Sequence, residues 1–253
     1  MKRRTLDIIL YRTYAELKSE AQRTYIGVLW WILEPVVFML IFYFIFGVLF
    51  QRGTEDFVPF LLIGLALWHW FQATVMQCSG AISANRGLIQ QVYVPNYVFP
   101  TVVVLANGAK FVVVLVILFV FLYLWGITPT WHWLESFLVL VSALCLTVGI
   151  AYLFAAITPL LPDMKLLLQN GLRGLFFLSG IFFDLSRIPE PYAGWLRWNP
   201  VATVVDDLRN VLMREQTPAW DSLLAIGGGS LVLIFLSLTL MRHNESRYAK
   251  STL

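Results

Sequence analysis

The residues of this chain that could carry out chemistry are few, and their spacing does not fit an active site. No Gly-x-x-x-x-Gly-Lys-Ser/Thr loop for nucleotide phosphates occurs, and no glycine is directly followed by lysine. His69, His132 and His243 lack the spacing of metal ligands, and neither a His-Glu-x-x-His nor a Gly-x-Ser-x-Gly motif is present. We therefore expect no catalytic residue, bound metal or bound cofactor in this chain.

Two basic residues interrupt long apolar stretches and are the clearest candidates for a polar pathway. Ionisable side chains such as Lys110 and Arg173 are costly in lipid and usually face a cavity or a partner. Structural pairing, or snorkelling to the headgroups, explains them as well as pore lining does. Glu34 and Glu135 lie near the ends of their stretches rather than in the middle. That placement disfavours a proton-driven transporter.

Aromatic side chains form a second group of candidates, since they make up 15% of the residues and include ten tryptophans. Interfacial belts at the two membrane surfaces account for many of them. Aromatic rings also offer flat apolar faces on which the C–H faces of sugars can stack. Trp30 and Phe176 are thus candidates for lining a pathway, although a belt role explains any single ring more simply.

Six apolar stretches must position these side chains. The chain is 59% hydrophobic and only 13% charged, with a mean hydropathy of +0.74, which excludes an ordinary soluble domain. A bilayer core about 30 Å thick needs roughly 20 helical residues, and continuous rather than alternating apolar runs favour helices over a barrel. The sequence predicts one all-α membrane domain over residues 1–253, with spans near 28–50, 57–78, 97–125, 134–161, 164–183 and 223–241.

The distribution of basic residues predicts that both termini are cytoplasmic. An even number of spans agrees with that topology, while the outer loop 184–222 is an exception whose four arginines are partly balanced by acids. Charges at Arg12 and Glu16 interrupt any signal peptide, and Cys78 and Cys145 lie at different depths, which disfavours a disulfide. The terminal basic residues are Lys2, Arg3, Arg4, Arg12, Lys18, Arg23, Arg242, Arg247 and Lys250.

The N-terminal region, residues 1–27, carries an apolar stripe at helical spacing. We predict an amphipathic helix along the inner membrane surface, which offers either a docking face for a cytoplasmic partner or only a basic tail that sets topology. The stripe consists of Leu6, Ile9, Leu10, Tyr14 and Leu17.

Three connections between the predicted spans have their own patterns. The polar segment 79–96 is consistent with a short cytoplasmic helix, or with an inert loop bounded by Pro95. Between the fourth and fifth spans, Asp163 is predicted to cap the following helix. The outer segment 184–222 predicts two short half-buried helices, and backbone of this kind at membrane depth must be covered by protein or by a water-filled path. It is therefore a candidate for lining an exit.

Several stretches, in order along nearly the whole chain, resemble the ABC-2 type membrane subunits of polysaccharide exporters. Ile26 stands where that family commonly has leucine, and Gln90 and Gln91 stand where basic residues often follow the Leu-Ile pair. These departures blur the subgroup and leave the resemblance intact. The stretches that carry it are Arg23 to Pro35, Pro59 to Trp68, Asn85 to Pro95, Pro162 with Asp163, Leu178 to Phe182, and Trp198 to Pro200 with Arg209.

The resemblance implies a homodimer of six-span subunits that forms a channel, with two ATP-binding subunits on the cytoplasmic face. ATP and magnesium would be used by those subunits, and no nucleic acid is involved. The interface helix, which would meet the ATPase, is represented by Leu6, Leu10, Tyr14, Leu17 and Arg23. The coupling helix, which would also meet it, contains Asn85, Arg86, Gly87, Leu88 and Ile89. The outer gate, which would shape the exit, contains Pro189, Trp195, Trp198, Asn199 and Pro200.

The function predicted on this basis is export of a lipid-linked polysaccharide, with O-antigen favoured, across a bacterial inner membrane. Arg4, Arg23 and Arg86 are candidates to attract the lipid pyrophosphate. The alternatives are a capsular polysaccharide or teichoic acid exporter, a small-molecule or drug exporter of the same type, and a membrane glycosyltransferase that uses Asp206 and Asp207. Helical capping or ion pairing explains those two acids more simply.

Overall fold

A computed structural model of the chain describes residues 2–23, 27–49, 56–185, 188–189 and 192–250. Within these ranges every regular element is helical, which confirms the all-α prediction. Short 3₁₀ turns lie at Gly27–Leu29 and Trp131–Glu135, and a π-helical segment, Tyr43–Leu49, continues α2. The α-helices are α1 Lys2–Arg23, α2 Trp30–Phe42, α3 Phe57–Ala84, α4 Arg86–Gln91, α5 Val98–Trp125, α6 Ser136–Ile157, α7 Asp163–Leu178, α8 Tyr192–Arg197, α9 Pro200–Met213, α10 Trp220–His243 and α11 Glu245–Lys250.

Four helical segments among the described residues are long and apolar enough to cross a bilayer: Phe57–Gln91, Val98–Trp125, Trp131–Ile157 and Trp220–His243. They correspond to the second, third, fourth and sixth predicted spans. The first predicted span falls on α2 and its π-helical continuation. The fifth falls on α7, whose 16 residues extend only about 24 Å at 1.5 Å per residue. The count of six spans stays a prediction.

Helix α3 is the centre of the molecule, because α2, α5, α6, α7 and α9 all pack around it. Its side chains are buried on every side, including those of Leu61, Leu65, Trp68 and Ile82. A helix that is apolar all round must be surrounded by protein or lipid, and here other helices surround it. The thiols of Cys78 and Cys145 are both free, as predicted.

Small residues set the close approach of α6 and α10, which pack against each other more extensively than any other helix pair described. A Cβ added to Gly149 would lie 3.2 Å from the carbonyl oxygen of Ser230 and 3.3 Å from the side chain of Leu233. The Ser142 hydroxyl donates across the same contact to the carbonyl of Leu223 at 3.3 Å. Small residues and interhelical hydrogen bonds are the usual means of association in lipid.

The prediction that Asp163 caps α7 was wrong. Pro162 occupies the capping position and Asp163 is the first residue of the helix, with no side-chain hydrogen bond at that end. Proline favours the start of a helix because it has no amide hydrogen to satisfy and its φ is already helical. The Asp163 carboxylate therefore lies in the first turn, where it interacts favourably with the helix dipole.

Replacing Gly149 with alanine is expected to lower the free energy of unfolding by about 1 kcal/mol, because the new methyl group forces α6 and α10 apart. The matched change Gly108→Ala meets nothing within 4 Å and should be neutral or slightly stabilising, since alanine favours helix. Thermal unfolding of both variants in detergent tests this. Equal melting temperatures would contradict the close packing of α6 on α10.

Candidate functional site

The outer segment is held by a buried arginine. The Arg209 side chain on α9 is 1% exposed. Its Nε donates to the carbonyl of Phe60 at 3.0 Å, Nη1 to that of Gly180 at 2.6 Å, and Nη2 to that of Ile181 at 2.9 Å. The guanidinium carbon also lies 3.4 Å from the centroid of the Phe60 ring, a cation–π contact. One side chain thus joins α9 to the start of α3 and to the turn that follows α7.

The surroundings of Arg209 fit a guanidinium closely. A Cβ on Gly64 would lie 2.6 Å from Nη2, so glycine at this position leaves room for Nη2 to reach the carbonyl of Ile181. Burial lowers the pKa of Arg209 to about 9, and the nearby Asp206 carboxylate opposes that shift. The group therefore stays cationic at neutral pH. A delocalised cation with five donors is suited to satisfying several backbone carbonyls at once.

Asn199 fixes the other end of α9. Its Oδ1 accepts from the amides of Val201 at 3.0 Å and Ala202 at 3.4 Å, which is an N-cap followed by Pro200 at the first helical position. Its Nδ2 donates to the carbonyl of Leu178, the last residue of α7, at 3.0 Å. Asn199 and Arg209 therefore both bind the carbonyls at the end of α7, where Gly180 adopts a left-handed φ of +66°.

The acids of α9 have structural partners, as the sequence predicted. Asp206 pairs with Arg214 at 3.3 Å, and the same guanidinium binds Asp184 and the Asn210 side chain. Asp207 accepts from the amide of Ala219 at 3.0 Å, which secures the turn into α10. Its other oxygen is buried with no hydrogen-bond partner, and burial raises the pKa of Asp207 to about 6.

The remaining outer-gate residues lie at the surface. Trp195 and Trp198 are 83% and 88% exposed, and Pro189 is also exposed. The structure thus separates two roles within one predicted set: Asn199 and Pro200 fix the segment, whereas the two tryptophans project from it.

Helix α7 turns a polar face away from the rest of the described chain. Only Leu168 and Leu172 are buried, whereas Gln169, Asn170 and Arg173 are exposed. Phe176 packs inward, with its ring centroid 5.4 Å from that of Trp68 and 5.0 Å from that of Phe182. If α7 is the predicted fifth span, these polar residues favour a water-filled or protein-covered surface over lipid.

Lys110 is paired, which is one of the two roles expected for it. Its ammonium donates to both carboxylate oxygens of Glu20, at 2.7 and 2.9 Å, and so links α5 to the end of the interface helix. A cavity of about 160 Å³ beside this pair is lined by Glu34, His69, Gln77 and Asn107, among others. The Asn107 amide donates to the Gln77 side chain at 3.0 Å. Sequence reasoning missed these two amides, although polar amides inside apolar stretches were a usable signal.

Helix α1 packs along α5. Ile9 contacts an apolar cluster that contains Val98 and Phe99, and the Arg12 guanidinium lies 5.2 Å from the centre of the Phe99 ring. The other predicted interface-helix side chains point differently: Leu6, Leu10 and Tyr14 are exposed and Leu17 is half-buried. The side chains of Arg4 and Arg23 lie outside those that the structure describes. Trp30, at the start of α2, is 47% exposed.

A short helix, the six-residue α4, forms in the predicted segment, with Asn85 just before its first residue, while its coupling role stays a prediction. Asn85 donates from its side chain to the carbonyl of Ala81 at 2.8 Å. Leu88 and Ile89 pack on the cluster around Phe99, Gly87 is exposed, and Arg86 is half-buried. Helices α1 and α4 therefore share one apolar cluster at the N-terminal end of α5.

Comparison with known proteins gives consistent matches over this whole arrangement. The profile of the family described as ABC-2 type transporter matches residues 9–213. The chain is 29% identical over 238 residues to the O-antigen export system permease protein RfbA of Myxococcus xanthus, covering 93% of this chain and 92% of that protein. A Klebsiella pneumoniae protein of the same name is 24% identical, with 96% and 94% covered. The polysialic acid transport protein KpsM of Escherichia coli is 32% identical, with 91% and 90% covered.

Replacing Arg209 with lysine is expected to lower the free energy of unfolding by roughly 3 kcal/mol, since one ammonium cannot reach three carbonyls and keep the Phe60 contact. The matched change Arg173→Lys, on the exposed face of α7, should leave the melting temperature nearly unchanged. Thermal unfolding in detergent compares the two. Equal losses for both variants would show that Arg209 does not hold the outer segment.

Asp207 should make stability depend on pH. Because folding raises its pKa to about 6, the folded state holds the proton more tightly than the unfolded state. The free energy of unfolding should therefore fall as pH rises from about 4 to 6, by at most roughly 2 kcal/mol. In Asp207→Asn, which keeps an oxygen for Ala219, that contribution should vanish. Melting temperatures of both proteins between pH 4.5 and 7.5 test this, and parallel curves would contradict it.

Proposed function

We propose, because this chain belongs to the ABC-2 type transporter family, that it is the channel-forming membrane subunit of an ATP-driven exporter of polysaccharide. The best-supported cargo is a lipid-linked O-antigen carried out of the cytoplasm across a bacterial inner membrane. Permeases of this kind work with ATP-binding subunits, and the sequence has no phosphate-binding loop of its own. The chain itself is not an enzyme.

The cargo class is inferred from one observation: over nearly its whole length the chain is similar to proteins that are named for the export or transport of two different glycans. The RfbA and KpsM relatives are named for O-antigen export and polysialic acid transport, and the matches cover at least 90% of each relative. A bacterial glycan polymer is what these named cargoes have in common. That common feature favours a polysaccharide over a small drug, while capsular polysaccharide and teichoic acid stay as alternatives within the same class.

The exposed polar face of α7 supports a channel formed by two copies of the chain. Gln169, Asn170 and Arg173 would face a shared aqueous path, whereas Leu168 and Leu172 hold the helix on α3. We propose a homodimer of six-span subunits in which α7 and the exposed face of α2, including Trp30, line that path. Phe176 would stiffen the wall from behind, since it packs against Trp68.

Coupling to ATP hydrolysis is proposed to act through the cytoplasmic cluster. Two ATP-binding subunits, which use ATP and magnesium, would dock on α4 and α1, and both termini would lie in the cytoplasm. The Glu20–Lys110 pair joins α1 to α5, so a push on α1 would be transmitted into the membrane domain as a rigid-body movement. Arg4, Arg23 and Arg86 are proposed to attract the lipid pyrophosphate as the substrate enters.

Transport should require the partner ATPase and a glycan substrate. In vesicles that contain this chain and its ATP-binding subunit, we expect ATP-dependent translocation of a labelled lipid-linked polysaccharide. Vesicles in which the phosphate-loop lysine of the ATPase is replaced serve as the control and should show none. Arg86→Ala should slow translocation without loss of dimer assembly.

Three outcomes would contradict the proposal. Translocation by the chain without any ATPase would remove the coupling. Drug sensitivity without cytoplasmic glycan build-up on deletion would favour a drug exporter. Sugar incorporation by the purified chain alone would favour a glycosyltransferase that uses Asp206 and Asp207.

A further inference from the structure

A groove of about 450 Å³ lies at the cytoplasmic surface between the end of α4 and the C-terminal helix α11. The segment after α4 forms one wall and the junction of α10 with α11 forms the other. The groove borders the apolar cluster under α1 and α4, since Val94 and Ile89 belong to both, and it adds polar and charged side chains to that apolar floor. Its lining includes Tyr93, Val94, Asn96, Arg242, His243 and Glu245.

Asn96 is the unusual residue in this groove. Its side chain is only 3% exposed, yet neither the Nδ2 nor the Oδ1 atom has a hydrogen-bond partner. A buried amide that makes no hydrogen bond is costly, and nearly all buried polar groups in proteins have a partner. The backbone around it is fixed by bonds from Val98 to the carbonyl of Pro95 and from Phe99 to that of Asn96. The backbone of Asn96 is therefore fixed where its side chain lines the groove.

The opposite wall is also rigid. Tyr248 of α11 is fully buried, and its hydroxyl donates to the carbonyl of Ala156 near the end of α6 at 2.8 Å. Burial raises the pKa of Tyr248 to about 12, so the hydroxyl keeps its proton at physiological pH. Asn244, 4% exposed, bonds back to the carbonyl of Leu240 at 3.0 Å. Helix α11 is thus a docked element of the fold that contacts α4.

The chemistry of the groove indicates its occupant. Arg242 and Glu245 both line it, Arg242 is exposed, and the tail from residue 242 to 250 carries three basic residues against that one acid. Val92 and Tyr93, 55% and 71% exposed, flank its opening. A matching segment has an acidic side chain for Arg242, a donor and acceptor pair for Asn96, and an apolar residue for Tyr93.

We propose that this groove is a second docking site for the ATP-binding subunit, which inserts a short acidic segment between α4 and α11. The inference rests on the proposed function and extends it, because it assigns Asn96, Arg242 and α11 to an interface so far attributed to α1 and α4. Docking on two elements, of which α11 is anchored to α6, would transmit force to α6 as well as to α5.

The test separates a binding role of Asn96 from a structural one. Asn96→Leu removes an unsatisfied amide, so the melting temperature of the isolated chain should stay the same or rise. Its affinity for the purified ATP-binding subunit should nevertheless fall at least about tenfold. Arg242→Glu should lower that affinity by a similar factor. Gln216→Leu, an equivalent change on the exposed outer loop, should bind as the wild type does. Binding is measured by titration in detergent.

Each other outcome has a defined meaning. Wild-type affinity in Asn96→Leu overturns the inference, as does a parallel loss of melting temperature and affinity, which would make the amide part of the chain's own fold. A change in dimer assembly with unaltered ATPase binding would assign the groove to a second copy and also overturns it. If the groove inference fails in one of these ways while the proposed function holds, Leu88→Asp on the coupling helix should still weaken binding of the ATP-binding subunit. If the wild-type chain binds no ATP-binding subunit at all, the proposed function itself fails.

Discussion

A cation buried among helices needs acceptors, and in this protein that need fixes how α9 sits against α3 and the end of α7. Arg209 is buried and binds three backbone carbonyls. A side chain can reach backbone carbonyls mainly where a helix ends. It can also reach a carbonyl within a helix where a nearby glycine leaves that carbonyl uncovered. Helix α7 must therefore end before Gly180, and α3 must carry glycine at position 64. The Asn199 cap uses the same end of α7, so α9 can occupy only one place.

The end of the molecule at which α3 ends and α5 begins is organised differently. There an apolar cluster around Phe99 holds both α1 and α4, and the ion pair of Glu20 with Lys110 continues the contact along α5. Apolar side chains of α1 and basic side chains near the C-terminus are exposed there. The end around Arg209 is thus held by a polar network, whereas the end around Phe99 presents the surfaces on which we propose that the ATP-binding subunit docks.

Sequence reasoning predicted the elements better than their contacts. Long apolar runs made α3, α5, α6 and α10 predictable, since only a helix satisfies its own backbone in lipid. The short polar segments also predicted α4 and the two outer helices. The cap at Asp163 failed because Pro162 competes for the same position. Lys110 could not be assigned, because its partner Glu20 lies 90 residues away and no local pattern connects them.

The sequence by itself determined that this is an all-helical membrane chain with no phosphate-binding loop, and its motifs determined the family that it resembles. Composition and hydrophobic periodicity are properties of short stretches of chain, so helices and motifs can be recognised without knowing which residues are in contact. Only the tertiary structure decided which of the motif residues touch. Leu178 lies 21 residues before Asn199, and Gly180 lies 29 residues before Arg209. These pairs meet because a buried guanidinium and a capping amide require the same helix end.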